Sequence, residues 1–200
     1  MQKLGLTGGI ASGKSWVANQ LRELGFHVLD ADQLGHKLIE SGESAFEDVI
    51  REFDKEILRK DNSIDRKKLG DIVFSDRAKL AKLNSILHPR IEAAMNAQFD
   101  SWRAQGVAGP VFVEAALLVE AGMHKRLDGL VVVYCRPEDQ IERLLARGFS
   151  EEEARRRIAL QLPNEEKLKY ATFTIDTSGT MQYTQEQVAA LAEKLRGKPA

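Results

Sequence analysis

The chain has 200 residues, of which 43% are hydrophobic, and its 29 basic and 30 acidic residues leave a net charge of −1. This length suits one domain with a sizeable core, and the charge balance argues against a basic nucleic-acid-coating protein or a polybasic membrane-surface protein. The single cysteine, Cys135, excludes an intramolecular disulfide, and neither a signal-peptide pattern nor an apolar stretch of about 20 residues is visible. We therefore expect a cytoplasmic protein that binds no nucleic acid and no membrane. A monomer or weak homo-oligomer is a separate expectation that these observations do not supply.

The first 30 residues predict a strand, a glycine-rich loop, a helix and a second strand. Short apolar runs predict the strands at 3–6 and 26–29. Between them, apolar residues at helical spacing predict a helix over 13–24, which Gly25 would end. A β–loop–α–β unit of this length is typical of the opening of a parallel α/β sheet.

Residues 32–103 have helical patterns instead. Apolar residues at 46, 49, 50 and 53 predict one helix, and Asp65 and Asp76 are expected to be the N-caps of two more. The His88-Pro89 pair predicts a break before a further helix over 91–102. About 70 helical residues between strands indicate a lobe inserted into the α/β domain.

Strand patterns return in the last half of the chain. Apolar runs predict buried strands at 111–113, 130–134 and 173–175. Pro137 is expected to begin a helix, Ser150 and Glu153 form a capping-box pattern, and a last helix is predicted over about 184–195.

The strongest motif is a phosphate-binding loop. Residues 8–15 read G-G-I-A-S-G-K-S, which matches G-x-x-x-x-G-K-[ST] in full. Glycines let backbone N–H groups approach phosphate oxygens, and the following helix directs its positive end to the same place. In this pattern Lys14 contacts the β- and γ-phosphates, and the hydroxyl of Ser15 ligates Mg²⁺.

The second strand helps to separate the classes of phosphate-loop proteins. A GTP-binding switch is disfavoured because no N-K-x-D occurs and the D-x-x-G at 32–35 comes too soon after the loop. Asp30 and Asp32 follow the strand at a position where a carboxylate beside the γ-phosphate would accept a proton from an acceptor hydroxyl, as in a small-molecule kinase. Alternatively, Asp32 only caps the helix predicted at 31–40.

Motifs spread over residues 6–179 resemble those of the dephospho-CoA kinase family. The resemblance rests on L-T-G-G-I at 6–10, D-A-D at 30–32, H-P-R-I at 88–91, A-L-L-V-E at 116–120, Q-I-E-R-L at 140–144 followed by Arg147, Gln161, and I-D-T-S-G at 175–179.

The resemblance implies an α/β fold, a three-layer parallel-sheet P-loop kinase like the nucleoside-monophosphate kinases, with a helical insertion and a lid. The implied core is 1–35, 104–136 and 171–200, the helical substrate lobe is 36–103, and the lid is 137–170. The implied reaction is ATP-dependent, Mg²⁺-assisted phosphorylation of the ribose 3′-hydroxyl of dephospho-CoA, the last step of coenzyme A biosynthesis.

The resemblance also implies roles for individual residues. Asp32 would be the general base, with Lys14 and Arg143 as the other catalytic residues and Ser15 as the metal ligand. The implied ATP contacts are Gly8, Gly9, Ala11, Ser12, Gly13, Lys14, Ser15, Trp16, Arg143 and Arg147. The implied acceptor contacts are Thr7, Asp32, His88, Leu117, Leu118 and Glu120.

The chain departs from the family pattern at several positions. Ala11 replaces a loop glycine, which is tolerated if its φ is negative. Trp16 stands where threonine is common, and Glu114 and Ala116 stand where the family tends to have Asp and Pro. Thr177 replaces a frequent asparagine on the adenine side, which puts base contacts there in doubt.

Other assignments remain open at this stage. Arg155, Arg156 and Arg157 each follow a glutamate by four residues, which favours a solvated, self-paired helix face over a phosphate clamp. The alternative functions are a kinase of another nucleoside or nucleotide, and an ATP-binding regulatory module without phosphotransfer.

Overall fold

A computed structural model describes residues 1–197, with the side chain of Phe74 left out, so the last three residues of the predicted core segment 171–200 lie outside the described residues. Five parallel strands form one sheet in the order β2-β3-β1-β4-β5. The strands are β1 (Lys3–Gly8), β2 (His27–Asp30), β3 (Val111–Glu114), β4 (Gly129–Tyr134) and β5 (Phe173–Asp176).

Helices connect these parallel strands, as parallel pairing requires. The α-helices are α1 (Lys14–Glu23), α2 (Ala31–Leu38), α3 (Phe46–Phe53), α4 (Arg66–Phe74), α5 (Arg77–Ala104), α6 (Pro137–Leu145), α7 (Glu151–Ala159), α8 (Asn164–Leu168) and α9 (Met181–Arg196). Short 3₁₀ turns lie at Lys55–Ile57 and Met123–Arg126. Among the described residues, no helix combines the length and the apolar character that a membrane span would need.

The chain divides into two compact units. One contains Met1–Asp30 and the chain from Gly106 onward, and the other contains Ala31–Gln105. The first unit holds the whole sheet, and the second consists of α2 to α5 with the first 3₁₀ turn.

The core of the first unit lies on both faces of the sheet. Leu4 and Leu6 alternate along β1 and pack with α1 and α9 on one face. On the other face, Gly5 leaves room for Leu118, because a Cβ atom at residue 5 would lie 3.1 Å from its Cδ1 atom. The three central strands β1, β3 and β4 are therefore buried on both sides, which explains their runs of valine and leucine, whereas the edge strands β2 and β5 are more exposed.

The helical unit has its own core and its own local signals. Apolar residues of α3, α4 and the first half of α5, including Val49 and Leu83, form one buried cluster. Asp65 accepts hydrogen bonds from the N–H groups of Lys67 and Lys68, and Asp76 caps α5 in the same way. Both N-cap predictions are confirmed.

The predicted break at His88-Pro89 is wrong, because α5 continues through Pro89 as one helix of 28 residues. Leu83 before the proline and Met95 after it are both buried, so packing holds the two halves. The guanidinium of Arg90 donates to the carbonyl of Ile86, one turn earlier, and pairs with Asp48. These contacts offset the cost of a proline inside a helix, where the lost hydrogen bond and the clash of the ring are together worth about 3 kcal/mol or more.

The other boundaries differ by a few residues. The last helix, α9, begins at Met181, three residues before the predicted start, because the side chain of Thr180 caps it by accepting from the N–H group of Tyr183. The capping box predicted from Ser150 and Glu153 is present at the start of α7.

Candidate active site

The phosphate loop lies at the carboxyl edge of the sheet, where parallel strands end together. It follows β1 directly and leads into α1. The register places Glu114 of β3 beside Leu6 of β1 on one side and beside Asp30 of β2 on the other. Open α/β sheets bind their ligands at this edge.

The loop backbone folds tightly between β1 and α1. The N–H group of Ser12 donates to the carbonyl of Gly9 at 3.1 Å, which closes a turn. Gly13 then caps α1 with a left-handed φ of 84°. Gly8 is required by close approach, since a Cβ atom there would lie 2.3 Å from the carbonyl oxygen of Val133.

A buried hydroxyl in the loop fits a phosphate ligand. Ser12 is 1% exposed, and its Oγ atom has no hydrogen-bond partner among the described residues. An unsatisfied buried hydroxyl is costly in a folded protein, and a phosphate oxygen would satisfy it. The hydroxyl and the N-terminus of α1 together fit the triphosphate of ATP.

The loop lysine has a buried anionic partner that the sequence did not single out. The Nζ atom of Lys14 lies 2.9 Å from Oε1 of Glu114, and an Nη atom of Arg22 lies 3.3 Å from Oε2. Glu114 is 2% exposed, and the two cations are its ion-pair partners. The position of Glu114 in the chain could have pointed to this role, because a carboxylate at the end of the strand beside β1 lies next to the phosphate loop.

Ala11 does not have the negative φ under which its replacement of glycine would be tolerated. Its φ is 59°, at the third position of the turn from Gly9 to Ser12, where a turn of this kind favours glycine. The side chain is buried in a small apolar cluster with Leu144 of α6 and Ala154 of α7. Ala11 therefore packs against these two helices while its backbone has an unfavourable conformation.

Arg143 contacts the loop rather than a neighbouring acid. Its guanidinium donates to the carbonyl of Ala11 at 3.1 Å and to the hydroxyl and carbonyl of Thr177. Of the two acids close in sequence, Asp139 is bound by both guanidinium arms of Arg136, whose hydrogen bonds lower the pKa of that carboxyl. No local pattern in the sequence indicates the contacts of Arg143 with Ala11 and Thr177.

Thr177 packs against the phosphate loop and donates a hydrogen bond to it. Its hydroxyl lies 2.7 Å from the carbonyl oxygen of Ser12, and the residue is 6% exposed. A Cβ atom at Gly13 would lie 3.4 Å from the Thr177 methyl group. The threonine that replaces the family asparagine thus packs under the phosphate loop.

The segment expected to contact the acceptor is held by a second buried network. The Thr7 hydroxyl and the Lys167 ammonium group both donate to the carbonyl of Ala116, at 3.1 and 2.8 Å. Lys167 is 0% exposed and pairs with Glu120 at 2.9 Å, and Glu120 also accepts from the N–H group of Leu162. The position of Lys167 in a charged-rich stretch, N-E-E-K-L-K, gave no signal that it would be buried.

The remaining predicted residues lie on several elements. Asp32 is exposed in the first turn of α2, two residues after the end of β2, and His88 is half-buried in α5. Arg147 is exposed in the turn after α6. Leu118 is fully buried, and Leu117 is half-buried. In the first turn of α1, Ser15 is exposed and Trp16 is half-buried against the core.

The predicted ion pairs between the arginines at 155–157 and the glutamates four residues earlier are present in part. Arg155 pairs with Glu151 at 2.7 Å, as the i, i+4 spacing predicts. Arg157 instead lies over the ring of Phe149, 4.5 Å from its centroid, while Glu153 accepts the capping bonds of Ser150. Cys135 is buried, as expected of a packing residue, and burial raises the pKa of its thiol.

The sheet order and the loop define a P-loop kinase. The same fold occurs in a shikimate kinase from Acinetobacter baumannii, which is 16% identical with a TM-score of 0.54 over 98% of this chain and 93% of that one. The likeness at that identity concerns the fold alone.

Sequence comparison assigns the family. The profile of the dephospho-CoA kinase family matches residues 2–183. A dephospho-CoA kinase of Aquifex aeolicus is 44% identical over 200 residues, all of both chains. The structure of a dephospho-CoA kinase from Campylobacter jejuni is 31% identical, with a TM-score of 0.70 over 98% of this chain and 99% of that one. The chain belongs to the dephospho-CoA kinase family, which uses ATP and catalyses the last step of coenzyme A biosynthesis.

Proposed function

We propose that this chain transfers the γ-phosphoryl group of ATP to the ribose 3′-hydroxyl of dephospho-CoA, yielding coenzyme A and ADP. The observation that carries the proposal is a complete phosphate loop, with Lys14 held against the buried Glu114, in a chain of this family. The fold lets the protein act by positioning and charge stabilisation, which are the main sources of catalysis in phosphoryl transfer.

The phosphate loop would hold the triphosphate. The N–H groups of Gly9, Gly13 and their neighbours, together with the Ser12 hydroxyl, are suited to phosphate oxygens. Lys14 would stabilise the charge on the transferring group, with Glu114 keeping the ammonium group at the mouth of the loop. Arg143 would add a second positive charge from the lid, close to the Ala11 carbonyl that it already contacts.

Asp32 would orient the acceptor hydroxyl and accept its proton. It follows the carboxyl end of β2, at the sheet edge from which the phosphate loop also emerges. The acceptor oxygen attacks the γ-phosphorus, the bond to the β-phosphate oxygen breaks, and the proton moves to the Asp32 carboxylate. General-base catalysis of this kind contributes about 10²–10⁴-fold to a rate.

Magnesium binding would involve the Ser15 hydroxyl, with Glu114 at the neighbouring strand end. Mg²⁺ is commonly bound through one or two protein ligands together with waters and substrate phosphates. When bound, Mg²⁺ neutralises charge on the β- and γ-phosphates.

The acceptor side would be formed by Thr7 and the turn from Ala116 to Glu120. Thr7 and Lys167 fix the Ala116 carbonyl, and this holds the turn containing Leu117 and Leu118. We also propose that His88 of α5 contacts the acceptor. We further propose that the ligands are small molecules and that the protein is a cytoplasmic monomer or weak homo-oligomer.

The test measures ADP release by the purified protein with ATP and Mg²⁺, with and without dephospho-CoA. We expect ADP release to require dephospho-CoA, and ADP release at the same rate with and without dephospho-CoA would contradict the proposal.

A second test concerns the general base. Asp32→Asn is expected to lower kcat by about 10²-fold or more while the KM for ATP changes little. The matched control is Asp100→Asn, which removes an exposed carboxylate of α5 and should leave kcat unchanged. An unchanged kcat in Asp32→Asn would leave Asp32 as a helix-capping residue only.

A further inference from the structure

The starting observation is the left-handed conformation of Ala11 in the phosphate loop. An alanine at a φ of 59° is strained, because its Cβ atom crowds the backbone in a way that glycine avoids. Such strain persists only where the surroundings enforce it. The nitrogen donors that enforce it here come from the lid.

Hydrogen bonds fix the peptide groups on both sides of Ala11. The carbonyl of Ile10, before it, accepts from Nε2 of Gln140 at 2.6 Å. The carbonyl of Ala11 itself accepts from Arg143 at 3.1 Å. The N–H group of Ile10 donates to Oε1 of Gln161 at 2.7 Å. Gln140 and Arg143 lie three residues apart on one face of α6, so a single helix holds both carbonyls.

The side chain of Gln140 is tightly enclosed. It is 5% exposed, and a Cβ atom at Gly9 would lie 2.7 Å from its Nε2 atom. Gly9 therefore gives the amide room to reach the Ile10 carbonyl. The turn and the glutamine fit each other closely.

The hydrogen bond also sets the direction of a loop N–H group. A trans peptide is planar, so its carbonyl and its N–H group point in opposite directions. With the Ile10 carbonyl held toward Gln140, the N–H group of Ala11 must point away from α6. The orientation of this peptide decides which loop N–H groups are available to a phosphate.

We infer that Gln140 is a positioning residue for ATP, which acts by holding the Ile10–Ala11 peptide against the strain at Ala11. This role rests on the proposed function, because it concerns the loop's proposed nucleotide site. It also couples the lid to the loop, since α6 carries both Gln140 and Arg143.

The experiment is a double-mutant cycle between Gln140→Leu and Ala11→Gly, read out as the Kd for ATP without acceptor. Gln140→Leu keeps the approximate size of the side chain but removes the donor, and we expect ATP to bind about tenfold more weakly. Glycine adopts a positive φ without strain, so in the Ala11→Gly background the same change should weaken binding by about twofold or less.

Two controls separate positioning from a general loss of structure. Val188→Ala in α9 shortens a buried alkyl side chain of the sheet core, which cannot form a hydrogen bond with the loop, and it should lower the Tm without changing the Kd for ATP. Gln140→Met, which fills the same space with a flexible side chain, replaces Gln140→Leu if that variant does not fold.

The outcomes also separate this inference from the proposed function. A wild-type protein without dephospho-CoA-dependent turnover would contradict the function. An active wild-type protein would overturn the inference if Gln140→Leu bound ATP normally, or if its loss were equally large in the wild-type and Ala11→Gly backgrounds. A Val188→Ala variant that weakened ATP binding as much as Gln140→Leu would also overturn it.

Discussion

The helix-capping contacts of the helical unit join residues that are close in sequence, whereas the side-chain contacts that hold the phosphate loop join residues that are far apart in sequence. In the helical unit, Asp65 and Asp76 cap helices with side chains that bind N–H groups two and three residues ahead. The loop between β1 and α1 is held by Gln140, Arg143 and Gln161, which are more than 120 residues away. Local contacts set helix ends one at a time, whereas the distant contacts make the shape of the loop depend on the lid.

The comparison predicts that distant polar contacts in the sheet-containing unit cost more to break than local caps in the helical unit. Lys167→Met removes a fully buried ammonium group that binds Glu120 and the Ala116 carbonyl. We expect the free energy of unfolding to fall by about 3 kcal/mol, the lower end for a broken buried pair, because Glu120 remains 20% exposed. Urea denaturation measures this value.

The same variant should also affect the acceptor more than ATP. The turn that Lys167 holds belongs to the proposed acceptor side, so we expect a higher KM for dephospho-CoA at an unchanged KM for ATP. Lys169→Met, which removes an exposed lysine two residues away, is the matched control. If Lys167→Met lost no more stability than Lys169→Met, the claim that the buried contacts of Lys167 stabilise the fold would be contradicted.

Asp65→Ala tests how much a local helix cap contributes to the stability of the helical unit. Loss of this N-cap should lower the free energy of unfolding by about 1 kcal/mol, since two N–H groups at the start of α4 lose their acceptor. Turnover should be unchanged. Kinetics and urea denaturation of the same preparation check both values, and a loss equal to that of Lys167→Met would break the comparison.

The smallest expected effect is a pH dependence at the start of α6. Hydrogen bonds from Arg136 lower the pKa of Asp139 below its ordinary value of 3.8. A carboxyl whose native pKa is lowered stabilises the fold fully above the ordinary pKa, and this contribution is lost as the pH falls through the native pKa. The difference in Tm between wild type and Asp139→Asn should therefore be present at neutral pH and shrink in acid. A difference independent of pH would contradict this contribution.

The same contrast explains how much could be predicted from the sequence. The phosphate loop, the strands and the two aspartate caps have local signatures, and all were predicted within a few residues. The continuity of α5 was missed because the packing of Leu83 and Met95 and the contacts of Arg90 outweigh the effect of Pro89. The φ of Ala11 was missed because it depends on partners in the lid that no local pattern identifies.

The residues of the candidate site also differ in whether a local sequence pattern or a distant contact reveals them. The motif predicts roles for Lys14 and Ser15, whereas Glu114 and Lys167 are recognised as ion-pair partners only from strand register and burial. No local pattern in the sequence indicates a partner for Arg143. In the fold it contacts Ala11 and Thr177, which are far away in sequence.

The most direct test of the proposed reaction is the position of the new phosphate in the product. The purified protein is incubated with ATP, Mg²⁺ and dephospho-CoA, and the product is analysed by phosphorus NMR with coupling to the ribose protons. We predict one new phosphate monoester on the 3′ oxygen, formed in equal amount to ADP. A phosphate at the 2′ oxygen, or ADP formed without any new monoester, would contradict the proposal.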